Sequence, residues 1–380
     1  MKSICHSCDS ENLFFFNGCN KFFNVSSDCQ KLKFKSQLVL CKKCNLLQKH
    51  CTKKWGSEVS KIYKNYKMYS QSSTFSEQKV LSKTKFESRS SFIFNWIKKK
   101  NILEDKGNYL DFGCGIGNTL NTAKRALNNW DIYGYEPQKA NIEKYLQFKD
   151  HKKIFTKLKF LKKFNLITLI HVLEHIRKPK QTLKQVASLL NENGVCLIQV
   201  PYFNTNPFDL IIYDHCSHFE PSDFFNLCKN TDLEIITANN SIINKELTIV
   251  LKKKKIKNKV LKKIKQKKKI VIKQLNWLNQ VLVKTKAQLK SDYKLGIFGT
   301  SIAAAWMSNN IKNNVDFYID EDDSRINNKF LNKEIVSISN IPKFSSISIP
   351  FTYKTSKLIK SKIKQKNIEI ITTPMLKLNS

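Results

Sequence analysis

Between residues 85 and 250, short apolar runs alternate with segments of helical periodicity. Five of these runs predict strands, namely Asn108–Phe112, Asp131–Glu136, Phe164–Ile170, Val195–Val200 and Leu233–Ala238. The segment Gln181–Leu190 has the apolar spacing of a helix. Because strands that alternate with helices form parallel sheets, this region predicts an α/β domain with helices on the faces of the sheet.

The same pattern starts again near the C-terminus. Leu295–Phe298 and Val315–Ile319 predict strands, and a helix is expected between them from about Ser301 to Asn309. The amide groups at the start of that helix can hold a phosphate. We therefore expect a second, smaller α/β unit over residues 291–380.

Residues 251–290, which join the two units, predict a basic connecting helix. The first twenty of them (LKKKKIKNKVLKKIKQKKKI) contain twelve lysines and no acid. The apolar residues recur at helical spacing, at Ile256, Val260, Ile264, Val271, Leu275, Leu278 and Leu282. One face is expected to be buried while the lysines lie in solvent, and contact with an anionic partner or a membrane surface is the alternative.

The chain is strongly basic, with 67 Lys and Arg against 30 Asp and Glu in 380 residues, a formal net charge of +37. Such a charge suits a polyanion such as nucleic acid. Lysine, isoleucine and asparagine are abundant throughout, however, while arginine, which makes bidentate contacts to phosphate and guanine, is scarce. A compositional bias is favoured as the cause of the charge, and a nucleic-acid partner stays the alternative.

The 11 cysteines point to metal binding. No stretch is apolar enough to span a membrane and no signal peptide is visible, so we expect a soluble, cytoplasmic protein. In a cytoplasmic protein the cysteines are not expected to form a disulfide framework, because such frameworks belong to oxidising compartments. Seven of the cysteines lie within the first 51 residues, a crowding that favours a metal site.

Two C-x2-C pairs stand in this N-terminal segment, Cys5 with Cys8 and Cys41 with Cys44. Each pair can present two thiolates from a tight turn, so that four sulfurs close a tetrahedron around Zn²⁺. Four protein ligands leave no open coordination position, which predicts a structural ion in a zinc-binding module with its linker over residues 1–70. One ligand could be exchanged for a member of the remaining set, Cys19, Cys29, Cys51, His6 and His50.

A glycine turn follows the first predicted strand of the larger α/β unit. Gly113-Cys114-Gly115-Ile116-Gly117 leads directly into a helix, and glycines let the backbone approach a ligand closely. About twenty residues later Glu136 ends the next strand, where an acid can accept hydrogen bonds from both ribose hydroxyls. The carboxylate of Asp111 suits a cofactor with an ammonium or sulfonium group, whereas a dinucleotide phosphate would prefer amide donors.

The segments LDFGCGIGN, YGYEP, FNLITLIHVLEHIRKP and NENGVCLIQVP together resemble the successive motifs of class I S-adenosylmethionine-dependent methyltransferases. The resemblance covers about residues 105–202 and implies a Rossmann-like domain over residues 71–250. It implies that Glu136 holds the ribose of S-adenosylmethionine and that His171 lines the site at the end of the fourth strand. It also implies a cofactor loop around the methionine and sulfonium part, formed by Asp111, Gly113, Gly115 and Gly117.

The order of zinc pairs, methyltransferase motifs, basic helix and second α/β unit resembles the three-domain sugar C-methyltransferases, which act on nucleotide-linked keto-deoxysugars. Asp214 and His215 in the segment DLIIYDHCSHF match the Glu-His pair of that family, and Tyr213 matches its nearby tyrosine. Tyr69 resembles a linker tyrosine that the family brings into the site. The resemblance implies that the C-terminal Rossmann-like unit, residues 291–380, helps to hold the nucleotide-sugar.

Methylation at carbon would explain a carboxylate and an imidazole at this position. A sugar ketone becomes a carbon nucleophile only after a base removes the proton alpha to the carbonyl and another group steadies the enolate oxygen. We expect His215 to be the base, oriented by Asp214, with Tyr213 or His218 at the enolate oxygen. Tyr69 and His171 are further candidate catalytic residues.

Two other functions stay open. A zinc module and a basic surface on the same fold would suit an RNA methyltransferase, although His171-Val-Leu-Glu-His175 stands where base amino-methylating enzymes have an (Asp/Asn)-Pro-Pro-(Tyr/Phe) turn. A non-catalytic protein could use the cofactor fold for binding alone, but it would have no need of Asp111, the three glycines and Glu136 together. An S-adenosylmethionine-dependent enzyme with a small-molecule substrate is therefore the favoured interpretation.

Overall fold

The computed structural model describes residues 3–66, 79–82, 85–139, 143, 153–158, 162–253, 266–311 and 314–378. Tyr69 and residues 254–265 of the basic segment lie outside these residues. The described residues form the strands β1 (Leu13–Phe15), β2 (Leu38–Cys41), β3 (Leu47–Lys49), β4 (Lys79–Ser82), β5 (Lys85–Ser88), β6 (Gly107–Phe112), β7 (Trp130–Tyr135), β8 (Lys153–Phe155), β9 (Phe164–Ile170), β10 (Leu190–Pro201), β11 (Ser217–His218), β12 (Leu233–Asn239), β13 (Glu246–Lys253), β14 (Lys294–Phe298), β15 (Phe317–Ile319), β16 (Lys329–Phe330), β17 (Lys333–Val336), β18 (Ser345–Ile349) and β19 (Ile368–Thr372).

Helices connect these strands, and several have sequence signals at their ends. The side chain of Thr52 caps the first helix by accepting a hydrogen bond from the backbone of Trp55. The α-helices are α1 (Lys53–Lys64), α2 (Arg89–Lys98), α3 (Asn118–Ala126), α4 (Pro179–Leu189), α5 (Pro221–Leu227), α6 (Lys267–Gln288), α7 (Ile302–Asn310) and α8 (Tyr353–Lys362). None of the helices in the described part of the chain is long and apolar enough to cross a membrane.

The largest sheet has seven strands in the order β12-β13-β10-β9-β6-β7-β8. Strands β6 to β10 are parallel, and β13 runs antiparallel between β10 and β12. The chain moves from β6 outward to β7 and β8, then returns to add β9 on the other side of β6. The edge above β6 and β9 is thus a topological switch point, where open α/β sheets bind their ligands.

The strands of this sheet confirm the apolar runs predicted from the sequence, with ends that differ by a few residues. Strand β13 was missed, and its last three residues, 251–253, were expected in the basic helix. They form strand because Leu251 pairs with Cys196 of β10 and is fully buried in the sheet. The boundary expected at residue 250 therefore falls inside β13.

The C-terminal sheet has the order β16-β17-β15-β14-β18-β19 and is parallel except at the short β16 edge. Helix α6 leads into it and buries the expected stripe of Val271, Leu275, Leu278 and Leu282. The first residue of α6, Lys267, is buried and lies 2.9 Å from Asp223 and 3.0 Å from Glu220. This ion pair fixes the connecting helix to α5 of the larger unit.

The N-terminal segment forms a small antiparallel sheet with the order β1-β2-β3-β11. Its last strand, β11, comes from the chain that follows β10, so the N-terminal segment is joined directly to the loops above the larger sheet. Aromatic side chains extend this contact to the C-terminal unit. The ring of Trp306 in α7 lies 5.7 Å from Phe22 and 5.7 Å from Phe208.

Candidate active site

The glycine turn after β6 has the backbone of a ligand-binding loop. Gly113, Gly115 and Gly117 have φ angles of 80°, 50° and 82°, which residues with a Cβ adopt only at a cost. A Cβ on Gly113 would lie 2.6 Å from Cγ2 of Val172, so the space beside the loop is already filled by the chain that follows β9. Helix α3 begins at Asn118, immediately after the loop, and its N-terminus therefore faces the switch point.

Two acids stand at the carboxyl ends of the adjacent strands β6 and β7. Glu136 is 6% exposed and accepts hydrogen bonds from the backbone N–H of Gly115, at 3.0 Å, and of Gln138, at 2.9 Å. Asp111 is buried, and its Oδ1 accepts a hydrogen bond from the hydroxyl of Thr168 in β9 at 2.7 Å. The sequence-predicted cofactor residues are thus brought together at one edge of the sheet, with both carboxylates held in fixed orientations.

His171 follows β9 at the same edge and sits among charged groups. Its φ of 53° is unusual for a residue with a side chain. Its Nδ1 and Nε2 each lie 3.2 Å from a carboxylate oxygen, of Glu174 and Glu246 respectively, and Arg89 pairs with Glu246 at 2.6 Å. Burial and Arg89 lower the pKa of His171, but the two glutamates outweigh them and raise the pKa to about 9.

A second group of imidazoles lies beside this network. The rings of His175 and His215 are perpendicular, with centroids 4.7 Å apart. Nδ1 of His175 is 3.1 Å from the hydroxyl of Tyr63 and 3.1 Å from the backbone oxygen of Asp214. Burial and the neighbouring His215 lower the pKa of His175. We call His171, Glu174, His175 and His215 the imidazole cluster.

The carboxylate that orients His215 is Asp209, not Asp214 as the sequence suggested. Oδ1 of Asp209 lies 2.7 Å from Nδ1 of His215, and Oδ2 of the same side chain lies 2.5 Å from Nδ1 of His218. The carboxylate of Asp214 instead accepts hydrogen bonds from the backbone and hydroxyl of Ser27. Asp214 and His215 are neighbours in the chain, but their side chains have different partners. Asp209 lies in the 3₁₀ helix Pro207–Ile211, and from there its carboxylate contacts both His215 and His218.

This arrangement makes His215 a stronger base than an isolated histidine. Burial lowers the pKa of His215, but the hydrogen bond and charge of Asp209 outweigh that effect, so its pKa lies above the ordinary value. Burial would also raise the pKa of Asp209, yet the imidazoles of His218 and His215 hold it far below its usual range. The carboxylate is therefore ionised and supports a proton on either ring.

Tyr213 is placed differently from the expectation that it faces the substrate beside His215. Its hydroxyl donates a hydrogen bond to Glu58 of α1, and its ring packs 5.3 Å from that of Phe34. Burial and Glu58 raise the pKa of Tyr213 above its ordinary value. The tyrosine lines a cavity of about 580 Å³ on the N-terminal segment, together with Lys33, Phe34, Lys35, Ser36, Gln37, His50, Thr52, Lys54, Trp55 and Glu58.

The four predicted cysteines come together in one place, and their Sγ atoms all lie within 4.8 Å of one another. The Sγ atoms of Cys5 and Cys44 are 3.3 Å apart, and those of Cys8 and Cys41 are 3.6 Å apart. Zinc–sulfur bonds of about 2.3 Å in a tetrahedron place sulfurs about 3.8 Å apart, close to these separations. The donor set therefore fits Zn²⁺.

Sequence reasoning missed Asp209, Tyr63, Arg89 and Glu246 as members of the site. The HVLEH segment did signal Glu174 and His175, because both follow His171 at the end of a buried strand. Tyr63 had no such signal, since it reaches His175 from a different part of the chain. Asp209 lies six residues before His215 in the segment DLIIYDHCSHF, but the sequence does not indicate which acid of that segment contacts the ring. Only the folded chain brings Tyr63 of α1 and His175 within hydrogen-bond distance.

One sequence family matches the part of the chain that contains this site. Residues 87–238 match the sequence family described as "Methyltransferase domain". A search of curated proteins found no match. Among solved structures, an S-adenosylmethionine-dependent methyltransferase from Clostridium acetobutylicum ATCC 824 is 14% identical and is aligned over 54% of this chain and 99% of its own, with a TM-score of 0.37.

Two further solved structures resemble the chain to a similar degree. The plantazolicin methyltransferase BpumL in complex with SAH is 15% identical, with 44% of this chain and 82% of its own covered and a TM-score of 0.38. The YcgJ protein from Bacillus subtilis is 14% identical, with 43% and 98% covered and a TM-score of 0.36. The residues of the family match contain the glycine loop, Glu136 and the imidazole cluster. Residues 87–238 thus match a methyltransferase domain, and we refer to them as the methyltransferase domain.

Proposed function

We propose that this protein transfers a methyl group from S-adenosylmethionine to a carbon atom of a nucleotide-linked keto-deoxysugar. The observation that carries the proposal is the buried Asp209–His215 pair, at 2.7 Å. The ring of His215 packs against that of His175, which follows β9 in the same short segment as Val172, the residue against Gly113. Methyl transfer to oxygen or nitrogen needs at most removal of an acidic proton. Transfer to carbon needs an oriented base for a much less acidic proton, together with a group that stabilises the enolate.

The cofactor fits the edge of the sheet above β6 and β7. The glycine loop, which includes Gly113, Gly115 and Gly117, would hold the methionine part with Asp111 near the sulfonium. Glu136 would accept hydrogen bonds from the ribose hydroxyls, since its carboxylate is held at the loop by Gly115. S-adenosylmethionine would supply the methyl group, and the loss of the positive charge on its sulfur would make the transfer favourable. His171 would line the site from the end of β9.

His215 would take the proton alpha to the sugar carbonyl. The C–H bond breaks, its electron pair becomes the enolate, and the proton goes to the ring nitrogen of His215 that does not face Asp209. The enolate carbon then forms a bond to the methyl carbon as the sulfur–methyl bond breaks. Asp209 stabilises the imidazolium that forms, and Asp214 acts through His175 rather than on His215. Tyr69 stays a candidate for the enolate oxygen, and Tyr213 would need to leave Glu58 to reach it.

The C-terminal sheet supports a nucleotide-sugar as the methyl acceptor. Residues 291–380 form an α/β sheet with a helix start at Ile302, which would help to hold the phosphate of a nucleotide-sugar. We propose that the chain divides into the four expected segments, 1–70, 71–250, 251–290 and 291–380. Strand β13 extends the second segment to Lys253.

Replacement of His215 by asparagine tests the base directly. The His215→Asn variant should bind S-adenosylmethionine as the parent does, yet lose methyl transfer to nucleotide-linked 4-keto sugars by about 10²–10⁴-fold. It should also lose the exchange of the alpha proton with deuterated water, measured by mass spectrometry without cofactor. His50→Asn, which removes a histidine from the N-terminal segment, is the matched control. Full deuterium exchange in His215→Asn would assign the base to another residue, and methylation of bulk RNA in place of sugars would overturn the acceptor class.

We further propose that one Zn²⁺ supports the N-terminal segment through Cys5, Cys8, Cys41 and Cys44. Cys41→Ser should lose the metal and lower the melting temperature, because binding energy at a structural zinc site is folding energy. Cys51→Ser, outside the four-cysteine group, should keep one zinc per chain by elemental analysis. Unchanged metal content in Cys41→Ser would contradict the assignment.

A further inference from the structure

Three side chains of the imidazole cluster bring metal-ligating atoms together at a place separate from the four cysteines. Glu174, His175 and His215 each offer one ligand atom, and these atoms all lie within 4.8 Å of one another. Glu174 and His175 belong to the 3₁₀ helix Leu173–His175 after β9, and His215 lies in the loop before β11. Two imidazoles and one carboxylate are ligands that first-row divalent ions accept readily.

The two histidines are already oriented in the way that metal ligands usually are. Nδ1 of His215 faces the carboxylate of Asp209 at 2.7 Å, and Nδ1 of His175 faces the backbone oxygen of Asp214 at 3.1 Å. A ligating histidine typically donates its second N–H to a carboxylate or a carbonyl in this manner, which fixes the tautomer and the direction of the ring. Nε2 is then the nitrogen with a lone pair in both rings.

The carboxylate of Glu174 supplies an independent reason for a cation. Its side chain is 1% exposed, and Oε1 lies 3.2 Å from Nδ1 of His171. Its other oxygen, Oε2, has no hydrogen-bond partner among the described residues. A buried carboxylate oxygen without a partner costs free energy, and a bound cation would remove that cost.

The surrounding charges also favour a cation. Three further carboxylates contact the cluster, those of Asp209, Asp214 and Glu246. Besides the histidines, the basic groups opposite them are Arg89, which pairs with Glu246, and the buried Lys49, which interacts electrostatically with Asp209 and Asp214. With Glu174, four carboxylates therefore face two such basic groups, although the chain as a whole carries +37.

We infer that Glu174, His175 and His215 bind one divalent transition-metal ion. In a tetrahedral site with bonds of about 2.0–2.2 Å, ligand atoms are about 3.4 Å apart, so the three side chains would close together by about 1.5 Å at most. One consequence rests on the proposed function. A metal on His215 occupies the lone pair that would otherwise accept the alpha proton, so the metal-bound protein cannot use His215 as a base, and the ion inhibits.

A cobalt titration of the zinc-loaded full-length protein tests the inference. We expect one further equivalent of Co²⁺ to bind, with visible absorption but without the thiolate-to-cobalt bands of a cysteine site. Glu174→Gln and His175→Asn should each weaken this binding more than tenfold, and Asp209→Asn about 10–100-fold through loss of orientation. His50→Asn should bind as the parent does. Absence of a second equivalent in the parent would overturn the inference, whatever the variants do.

Different results would contradict the metal site and the sugar methylation. Cobalt binding needs no substrate, so a bound second equivalent without sugar methylation would keep the metal site and remove the proposed function. Sugar methylation without a second equivalent would do the reverse. If both hold, one equivalent of added Co²⁺ should suppress alpha-proton exchange in the parent. Unchanged exchange with the metal bound would overturn the inferred competition for His215.

Discussion

Two glycine turns in this chain have the same order of strand, turn and helix but different surroundings. In the methyltransferase domain, β6 leads through Gly113 to α3, and Glu136 after the next strand accepts a hydrogen bond from Gly115 at 3.0 Å. In the C-terminal sheet, β14 leads through Gly299 to α7, and Asp320 after the next strand accepts one from the backbone of Thr300 at 3.1 Å. Both are a strand, a turn and a helix with an acid from the neighbouring strand at the turn.

The difference lies in what surrounds each acid. The first turn has three glycines at positive φ, and the partly exposed His171 with its two glutamates follows the adjacent strand β9. The second has one, Gly299, and its acid is engaged by side chains: the hydroxyl of Thr300 donates to Asp320 at 2.7 Å, and Arg325 lies 3.5 Å from the same oxygen. A glycine turn therefore does not identify a cofactor site by itself. Under the proposed function only the first turn, with its three glycines, holds the cofactor.

The largest effect is expected when each turn receives a Cβ. Gly113→Ala and Gly299→Ala both place alanine at positive φ, with the new Cβ 2.6 Å from Val172 and 2.9 Å from the ring of Phe351. Left-handed backbone costs about 1–2 kcal/mol and overpacking about 1–3 kcal/mol, so each variant should lose about 2–5 kcal/mol of unfolding free energy. Chemical unfolding measures this loss, and calorimetry should show that only Gly113→Ala also loses S-adenosylmethionine. Equal cofactor affinity in Gly113→Ala and the parent would end the distinction between the turns.

A pH dependence should also separate the two units, because residues 291–380 contain no histidine. The pKa of His171 rises from 6.5 to about 9 on folding. Its contribution, on the order of 3 kcal/mol, is fully present below pH 6.5 and is lost as the pH rises through 9. Hydrogen exchange of the methyltransferase domain should show this loss, and His171→Asn should flatten it while His50→Asn does not. A C-terminal sheet that loses the same protection in the same pH range would contradict the assignment to His171.

Sequence patterns predicted the centre of the larger sheet because its parallel strands are buried on both faces. Strand β9, from Phe164 to Ile170, and the second half of β10, from Val195, are largely apolar for that reason. Strand β13 was hidden by the lysines that follow Leu251, which look like the start of the basic segment. The two-residue strand β11 is held by pairing with β3 and has no pattern of its own.

The candidate site also contains residues that the sequence predicted and residues that it did not. The positions of Asp111, Glu136 and His171 at strand ends follow from the sequence pattern. Contacts between distant segments, such as that of Tyr63 with His175, do not. The partner of His215 was expected to be its neighbour Asp214, but a 3₁₀ helix turns Asp209 towards the ring instead. Local order along a chain says little about which of two nearby acids meets an imidazole.

The smallest expected effect compares the two acids themselves. If Glu136 accepts both ribose hydroxyls, Glu136→Ala should weaken S-adenosylmethionine binding by about 2–3 kcal/mol, a factor of tens to over one hundred in affinity. Asp320→Ala removes the equivalent acid from the other turn and should leave that affinity unchanged, because its contacts are to Thr300 and Arg325 within its own unit. Calorimetric titration of both variants checks the pair. Loss of affinity in Asp320→Ala would mean that the C-terminal sheet takes part in cofactor binding, and full affinity in Glu136→Ala would move the ribose to another acceptor.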